Sequence, residues 1–256
     1  MTSDAHERHD ADLGRVILSW LQAGPKDGPP TLLLHGFASN AHVNWGATGW
    51  IDLLAKEGRC VIAPDHRGHG QSQKFYAAAN YGPDIFAADA VALLDRLKIE
   101  KVDVIGYSMG ARIAFWMAAK HVDRVDRVVF SGMGERMFGP RQNNEVIAEA
   151  LEAEDDEEVT DPVALTFRRF AQRTGSDLEA LAACIRPSRT RINESDSKHV
   201  VAPVLVAVGT EDEVAGDPDP LAEKLANATV YRAEGRDHMK AVGDAGIKRA
   251  VLDFLS

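Results

Sequence analysis

Residues 101–120 read KVDVIGYSMGARIAFWMAAK. A short β-branched apolar run, KVDVI, meets the pattern G-x-S-x-G at Gly106 to Gly110, and an apolar stretch of helical period, ARIAFWMAAK, follows at once. A strand that turns straight into a helix strains the backbone of the corner residue and leaves no room for side chains two positions to either side. Ser108, flanked by Gly106 and Gly110, meets both conditions. Helix capping accounts for a serine here, but it does not require a glycine on each side. The junction therefore predicts that Ser108 is a nucleophile held out on a sharp turn.

The same alternation of strand and helix extends in both directions. Apolar runs bounded by turn residues recur at 15–21, 31–35, 60–64, 127–132, 204–209 and 228–233, and helix-period segments lie at 49–58, 84–99 and 248–256. This pattern predicts an α/β fold with a mostly parallel sheet covered by helices on both faces. RVILSWL (15–21) and TLLLH (31–35), joined by AGPKDGPP, are expected to pair as an antiparallel hairpin. From about Glu135 the chain carries helix pieces without a strand: QNNEVIAEALEAE, DPVALTFRRFAQRT and DLEALAACI. A segment of this length is too long for a plain loop, so it is expected to be a small helical cap over the carboxyl ends of the strands, where open α/β sheets bind ligands. The expected organisation is a flexible tail at 1–12, a core built from 13–134 and 190–256, and the cap at 135–189.

Bulk properties narrow the function classes. A length of 256 residues fits one domain, or one domain with an insertion, against a norm of ~150 residues per domain. The formal charge of −10 disfavours nucleic acid and anionic lipid as partners, since both need a basic surface. Cys60 and Cys184 each lie in an apolar segment without a CxxC or Cys/His cluster, and are read as reduced, buried thiols. No apolar leader core or membrane-length run occurs in the sequence, so the expected location is cytoplasmic. The acidic run EAEDDEEVTD (152–161) lacks the interleaved glycine and carbonyl ligands of a calcium loop and is read as a solvated linker.

A nucleophilic hydroxyl needs a base within hydrogen-bond reach and an acid to orient that base. His238, in AEGRDHMK, follows the last apolar run and precedes the last helix, where a loop can lower an imidazole onto the sheet's carboxyl edge. His6 and His9 lie in the tail, His121 ends a helix and His199 precedes a strand. His35, His66 and His69 sit in glycine-containing turns and are read as backbone-bonded, structural residues. For the acid, VLVAVGTEDEV places Asp212 three residues past Gly209, with Glu211 and Glu213 as alternatives. Asp237 adjoins His238 in sequence, and its side chain is expected to point away from the imidazole.

Acyl transfer also needs donors for the developing oxyanion, each worth roughly 3 kcal/mol. The turn itself supplies the Met109 N–H. The second donor is expected from HGF (35–37), as the Phe37 N–H, with Ala38 as the alternative.

Taken together, LLLHGF (32–37), APDHRGHGQS (63–72), VIGYSMG (104–110), VGTEDEV (208–214) and EGRDH (234–238) resemble the α/β-hydrolase fold superfamily, in its small capped serine esterase, lactonase and haloperoxidase-like branch. The order Ser108, Asp212, His238 is the order of that architecture. The resemblance implies an eight-stranded-type sheet, and a bracing, non-catalytic role for Asp65 to Ser72. The chain departs from family habit at Ala111, where a third glycine is frequent, and at Val122, where proline is frequent.

The implied activity is hydrolysis of carboxylic esters with short to medium acyl chains through an acyl-enzyme, acting on a small-molecule ester or lactone. It calls for no metal and no organic cofactor, and the sequence presents no evident site for either. Phe37, Tyr107, Met109, Met133, Phe138 and Met239 are pocket candidates, and each reads equally well as core. A perhydrolase of the cofactor-free haloperoxidase type, an enol-lactonase and a C–C hydrolase share the triad and stay open as alternatives. So does a small-molecule receptor built on the same scaffold. Family dehalogenases and epoxide hydrolases place Asp at the elbow, and Ser108 argues against both.

Overall fold

The computed structural model describes residues 6–138, 144–186 and 191–256. The strands are β1 (Glu7–Asp12), β2 (Ile17–Ala23), β3 (Pro30–Leu34), β4 (Cys60–Pro64), β5 (Val102–Tyr107), β6 (Val125–Ser131), β7 (Val204–Gly209) and β8 (Ala228–Ala233). They form one eight-stranded sheet in the order β1-β2-β4-β3-β5-β6-β7-β8. β2 runs antiparallel to β1 and β4, and every other pairing is parallel. The helices are α1 (Trp50–Lys56), α2 (Pro83–Arg96), α3 (Met109–Lys120), α4 (Asn144–Glu152), α5 (Pro162–Arg173), α6 (Leu178–Ile185), α7 (Asp219–Ala222), α8 (His238–Ala241) and α9 (Ala245–Leu255).

Central strands are apolar on both sides because both faces are covered. In β5, Val102 and Val104 pack toward α2 and α3, while Ile105 and Tyr107 pack toward α1 and α9. β3 repeats the pattern, with Leu32 and Leu34 on one face and Leu33 on the other. All the parallel strands end toward the same edge, and the loops leaving β3, β5, β7 and β8 there carry the candidate site.

Two sequence expectations differ from the structure at the amino-terminal edge. The expected flexible tail at 1–12 contains an ordered strand, β1, paired along its whole length from Glu7↔Gln22 to Asp12↔Ile17. Its polar composition hid it: as an edge strand it needs no apolar alternation, and it is held by polar contacts. Arg8 donates to Ser19 Oγ at 2.7 Å and to Asp65 at 3.0 Å, and the His9 ring stacks on Trp20 at 5.3 Å. The expected hairpin between residues 15–21 and 31–35 does not form. β2 is antiparallel as expected, but its partners are β1 and β4; β3, whose Thr31 to Leu34 are all buried, sits between two parallel neighbours.

The three expected helical stretches after β6 are α4, α5 and α6. The first two residues of QNNEVIAEALEAE and the expected boundary at 189/190 lie outside the described residues. These helices build their own apolar cluster, in which Ile147, Leu151, Ala171 and Leu181 surround Ala38 of the loop after β3. The acidic run does not stay entirely solvated, since Asp156 pairs with Arg168 and Arg169 of α5 at 2.9 and 2.8 Å.

Candidate active site

The corner after β5 has the geometry its sequence demands. Ser108 lies at φ 55°, ψ −111°, a conformation that costs a non-glycine residue roughly 1–3 kcal/mol. A Cβ on Gly106 would stand 2.3 Å from Gly110 O, and one on Gly110 would stand 1.9 Å from Leu34 O, so both glycines are steric requirements. The Ser108 N–H donates to Ser131 O at 2.9 Å, and its carbonyl accepts from the N–H groups of Ala111 and Arg112. Its side chain makes no capping bond to α3 and is free to point outward.

Ser108 Oγ meets His238 Nε2 at 3.0 Å. On the other side of the ring, His238 Nδ1 lies 2.8 and 3.0 Å from the two carboxylate oxygens of Asp212. An ionised carboxylate only accepts, so Nδ1 carries the proton and Nε2 presents its lone pair to the serine hydroxyl. Asp212 is buried, and its Oδ1 also accepts from Val214 N–H and Ala215 N–H at 3.0 and 2.8 Å, which fixes the carboxylate. Glu211 and Glu213 are exposed. Asp237 points away from the imidazole and caps α8 through Met239 N–H and Lys240 N–H. The loops are stitched together by Glu211 N–H to Arg236 O at 3.0 Å and Gly235 N–H to Thr210 Oγ1 at 2.9 Å, which is why residues 26 apart meet.

The loop after β3 brings Gly36 against the corner: a Cβ built on it would lie 3.6 Å from Ser108 Cβ. Asn44, from a π-helical turn at His42–Gly46, accepts from Gly36 N–H at 3.0 Å. Gly36 O accepts from His35 Nδ1–H at 2.8 Å, and His35 Nε2 accepts from His66 N–H at 3.0 Å, so the imidazole is neutral with its proton on Nδ1. Burial pulls the His35 pKa down, against the opposing pull of Asp65. Because a trans peptide points its N–H opposite its carbonyl, the grip on Gly36 O also aims the Phe37 N–H. Neither Phe37 N–H nor Met109 N–H has an acceptor among the turn and loop bonds of the described residues. Asp65 braces this loop from below, accepting from Ala41 N–H at 2.7 Å and Gln71 N–H at 2.8 Å.

The pocket candidates separate. The Phe37 ring packs between His69 and Phe167, at 5.9 Å from each. Met109 is buried and lines a narrow cavity with Pro83, Phe86, Ile113 and Cys184. Met133 is buried in the core, and Phe138 packs edge-on against Phe115 at 5.4 Å. Tyr107 turns to the opposite face of the sheet, among the residues under α1 and α9, and its hydroxyl donates to the backbone carbonyl of His238. Met239 is 58% exposed. Sequence reasoning missed Asn44 and the new task of Tyr107, because neither carries a local signal: each acts on a backbone atom in another loop. Among the described residues no cluster of His, Cys, Asp and Glu is arranged to hold a metal ion.

Parallel sheet, glycine-flanked serine corner, and a histidine and carboxylate delivered by the last two strand loops together define a class. The sequence pattern of the alpha/beta hydrolase fold family matches residues 29–174, more than half of the chain, and the chain belongs to that family. It is 40% identical over 131 residues to a 2-hydroxymuconate semialdehyde hydrolase of Pseudomonas sp. (strain CF600), a match covering 49% of this chain and 45% of that protein. The chain thus spans less than half of that relative's length. A 2-hydroxymuconate semialdehyde hydrolase of Pseudomonas putida is 31% identical over 79% of each chain. The crystal structure of the enol-lactonase from Burkholderia xenovorans LB400 superposes with a TM-score of 0.80 at 22% identity, covering 96% of this chain and 99% of that one, a likeness of fold.

Proposed function

We propose that the chain is a serine hydrolase that cleaves carboxylic esters of short to medium acyl chain length through an acyl-enzyme. The observation that carries this reading is the unbroken hydrogen-bond chain from Ser108 Oγ through both nitrogens of His238 to the buried Asp212. His238 Nε2 takes the hydroxyl proton as Ser108 Oγ attacks the ester carbonyl. Asp212 holds the imidazole's orientation and stabilises it once it is charged. The N–H groups of Phe37 and Met109 receive the oxyanion. His238 then returns the proton to the departing alcohol, leaving the acyl group on Ser108. A water, deprotonated by the same Nε2, attacks that acyl carbon and releases the acid and the free serine.

In this reading residues 135–189 are the cap that shapes the acyl pocket. The reaction is cytoplasmic, in keeping with two buried cysteines, Cys60 and Cys184, that are not joined in a disulfide. Hydrolysis of 4-nitrophenyl acetate through octanoate tests the proposal, together with fluorophosphonate labelling that disappears in Ser108→Ala. A folded protein without turnover on any of these esters sinks it.

A second reading, hydrolysis of a C–C bond with the same three side chains, draws support from the relatives named as 2-hydroxymuconate semialdehyde hydrolases. Assaying 2-hydroxymuconate semialdehyde beside the esters and a lactone panel ranks these activities by kcat/KM.

A further inference from the structure

Gly36 to Ser39 forms a tight turn, closed by Ser39 N–H to Gly36 O at 3.3 Å, and its third residue is Ala38 at φ 58°. Turns with a positive φ at that position favour glycine, and alanine there is strained. Something must hold it. Ala38 is fully buried, and its methyl group is enclosed by the apolar cluster of α4, α5 and α6. Its carbonyl, buried as well, takes its donors among the described residues from the far side of that cluster: Thr174 Oγ1 at 2.9 Å and Ser176 Oγ at 3.5 Å.

Thr174 caps the end of α5, and its hydroxyl has two acceptors in reach, Ala38 O and Ala171 O, both at 2.9 Å. Ala171 O already accepts from Ser176 N–H at 2.9 Å, so its loss of the threonine proton leaves nothing unpaired. For Ala38 O the other donor among the described residues is Ser176 Oγ, at the limit of hydrogen-bond reach (3.5 Å), so without the threonine proton this buried carbonyl is left poorly paired. The threonine proton therefore belongs on Ala38 O. Ser176 Oγ, 2.9 Å from Thr174 Oγ1, can donate to that oxygen in turn.

We propose that Thr174 is a positioning residue for the oxyanion donor, so that the helical insertion is a working part of the reaction centre as well as its cover. Without the Thr174 hydroxyl, Ala38 relaxes toward negative φ by rotating the Phe37–Ala38 peptide. That rotation breaks the Ser39-to-Gly36 bond and loosens the peptide that aims the Phe37 N–H. The inference rests on the proposed role of the Phe37 N–H, and one arm of its test does not depend on turnover.

The experiment compares wild type, Thr174→Val and Thr174→Ser. Expected for Thr174→Val is kcat on 4-nitrophenyl butyrate reduced about 10-fold with KM within about 2-fold, part of the 100-fold or greater loss seen when an oxyanion donor is removed outright. Amide hydrogen exchange over residues 36–40 should speed by a similar factor, and Thr174→Ser should restore both. Thr174→Ala serves if the valine variant does not fold, as checked by thermal melting. Wild-type exchange in the hydroxyl-free variant, or an equal loss in Thr174→Ser, overturns the inference. A wild-type protein without esterase turnover refutes the proposed function alone, and the exchange arm still decides the role of Thr174.

Discussion

The hydroxyl of Tyr107 donates to the main-chain carbonyl of His238, tying the residue before the corner serine to the loop that carries its proposed base. The two rings lie 5.3 Å apart, and Tyr107 is 6% exposed, so the phenol is a buried strut beneath the imidazole. Burial, aided by Asp212 and Asp237, pushes its pKa far above the usual tyrosine range, which keeps it a donor at every working pH. Tyr107→Phe keeps the ring and removes the strut. A neutral hydrogen bond is worth about 1 kcal/mol, so kcat should fall roughly 5- to 10-fold with KM unchanged. Steady-state kinetics on one ester checks this, and an unaltered kcat would mean the strut does not position the base.

Asp212→Asn should lower kcat by about 10,000-fold, the loss expected when the imidazole is held in the wrong tautomer. Its folding should change little, because an amide Oδ1 can still accept from Val214 N–H and Ala215 N–H. Glu211→Gln, on an exposed side chain, should leave kcat within about 2-fold of wild type. Parallel kcat and melting measurements on the two variants separate the acid from its neighbour, and the reverse pattern would move the assignment by one residue.

The parallel core was legible in the sequence because its strands are buried on both faces. VLVAVG and CVIAP are continuous apolar runs, and their limits at 204–209 and 60–64 match the strands residue for residue. β1 was not legible because ERHDAD gains its order from Arg8 reaching Asp65, a contact 57 residues away that no local pattern encodes. The corner serine announced itself through sterics, since glycine at both flanks is a demand of the backbone and is written locally. Asn44, Tyr107 and Thr174 act on main-chain atoms of Gly36, His238 and Ala38, so their chemistry is generic and only the fold gives it a target.

Acid should destabilise the fold through three buried imidazoles under the loop after β3. His35, His66 and His69 pack with ring centroids 4.2 to 6.3 Å apart, and the Nε2 atoms of His66 and His69 have no partner among the described residues. Burial foremost lowers all three pKa values, that of His69 to about 3. The unfolded chain protonates these groups near pH 6.5 while the native state keeps them neutral, so the unfolded state binds more protons between the two values. Stability is therefore full above about pH 6.5 and falls as pH drops toward 3, by up to ~1.4 kcal/mol per pH unit for each histidine. Urea midpoints across about pH 4.5 to 7.5 should decline toward acid, and His69→Phe should flatten that slope; an unchanged slope would mean His69 is not neutral in the native state.

The elbow should trade stability for chemistry at a single residue. Ser108 holds φ 55° and ψ −111° because the glycines on either side let the strand and helix approach and Ser131 O and the first turn of α3 grip its backbone. Ser108→Ala retains a Cβ and so retains the strain. Ser108→Gly removes it, recovering roughly 1–3 kcal/mol, against about 0.5–1 kcal/mol lost to the freer unfolded chain. The net gain is about 1 kcal/mol, or ~2–4 °C in Tm for a chain of this size. Both variants should lose ester turnover, so activity alone cannot tell them apart. Melting can: the glycine variant should melt above both wild type and Ser108→Ala, whereas a glycine variant that melts below Ser108→Ala by the full unfolded-chain cost would mean that the corner stores no strain and that its unusual dihedrals come free with the fold.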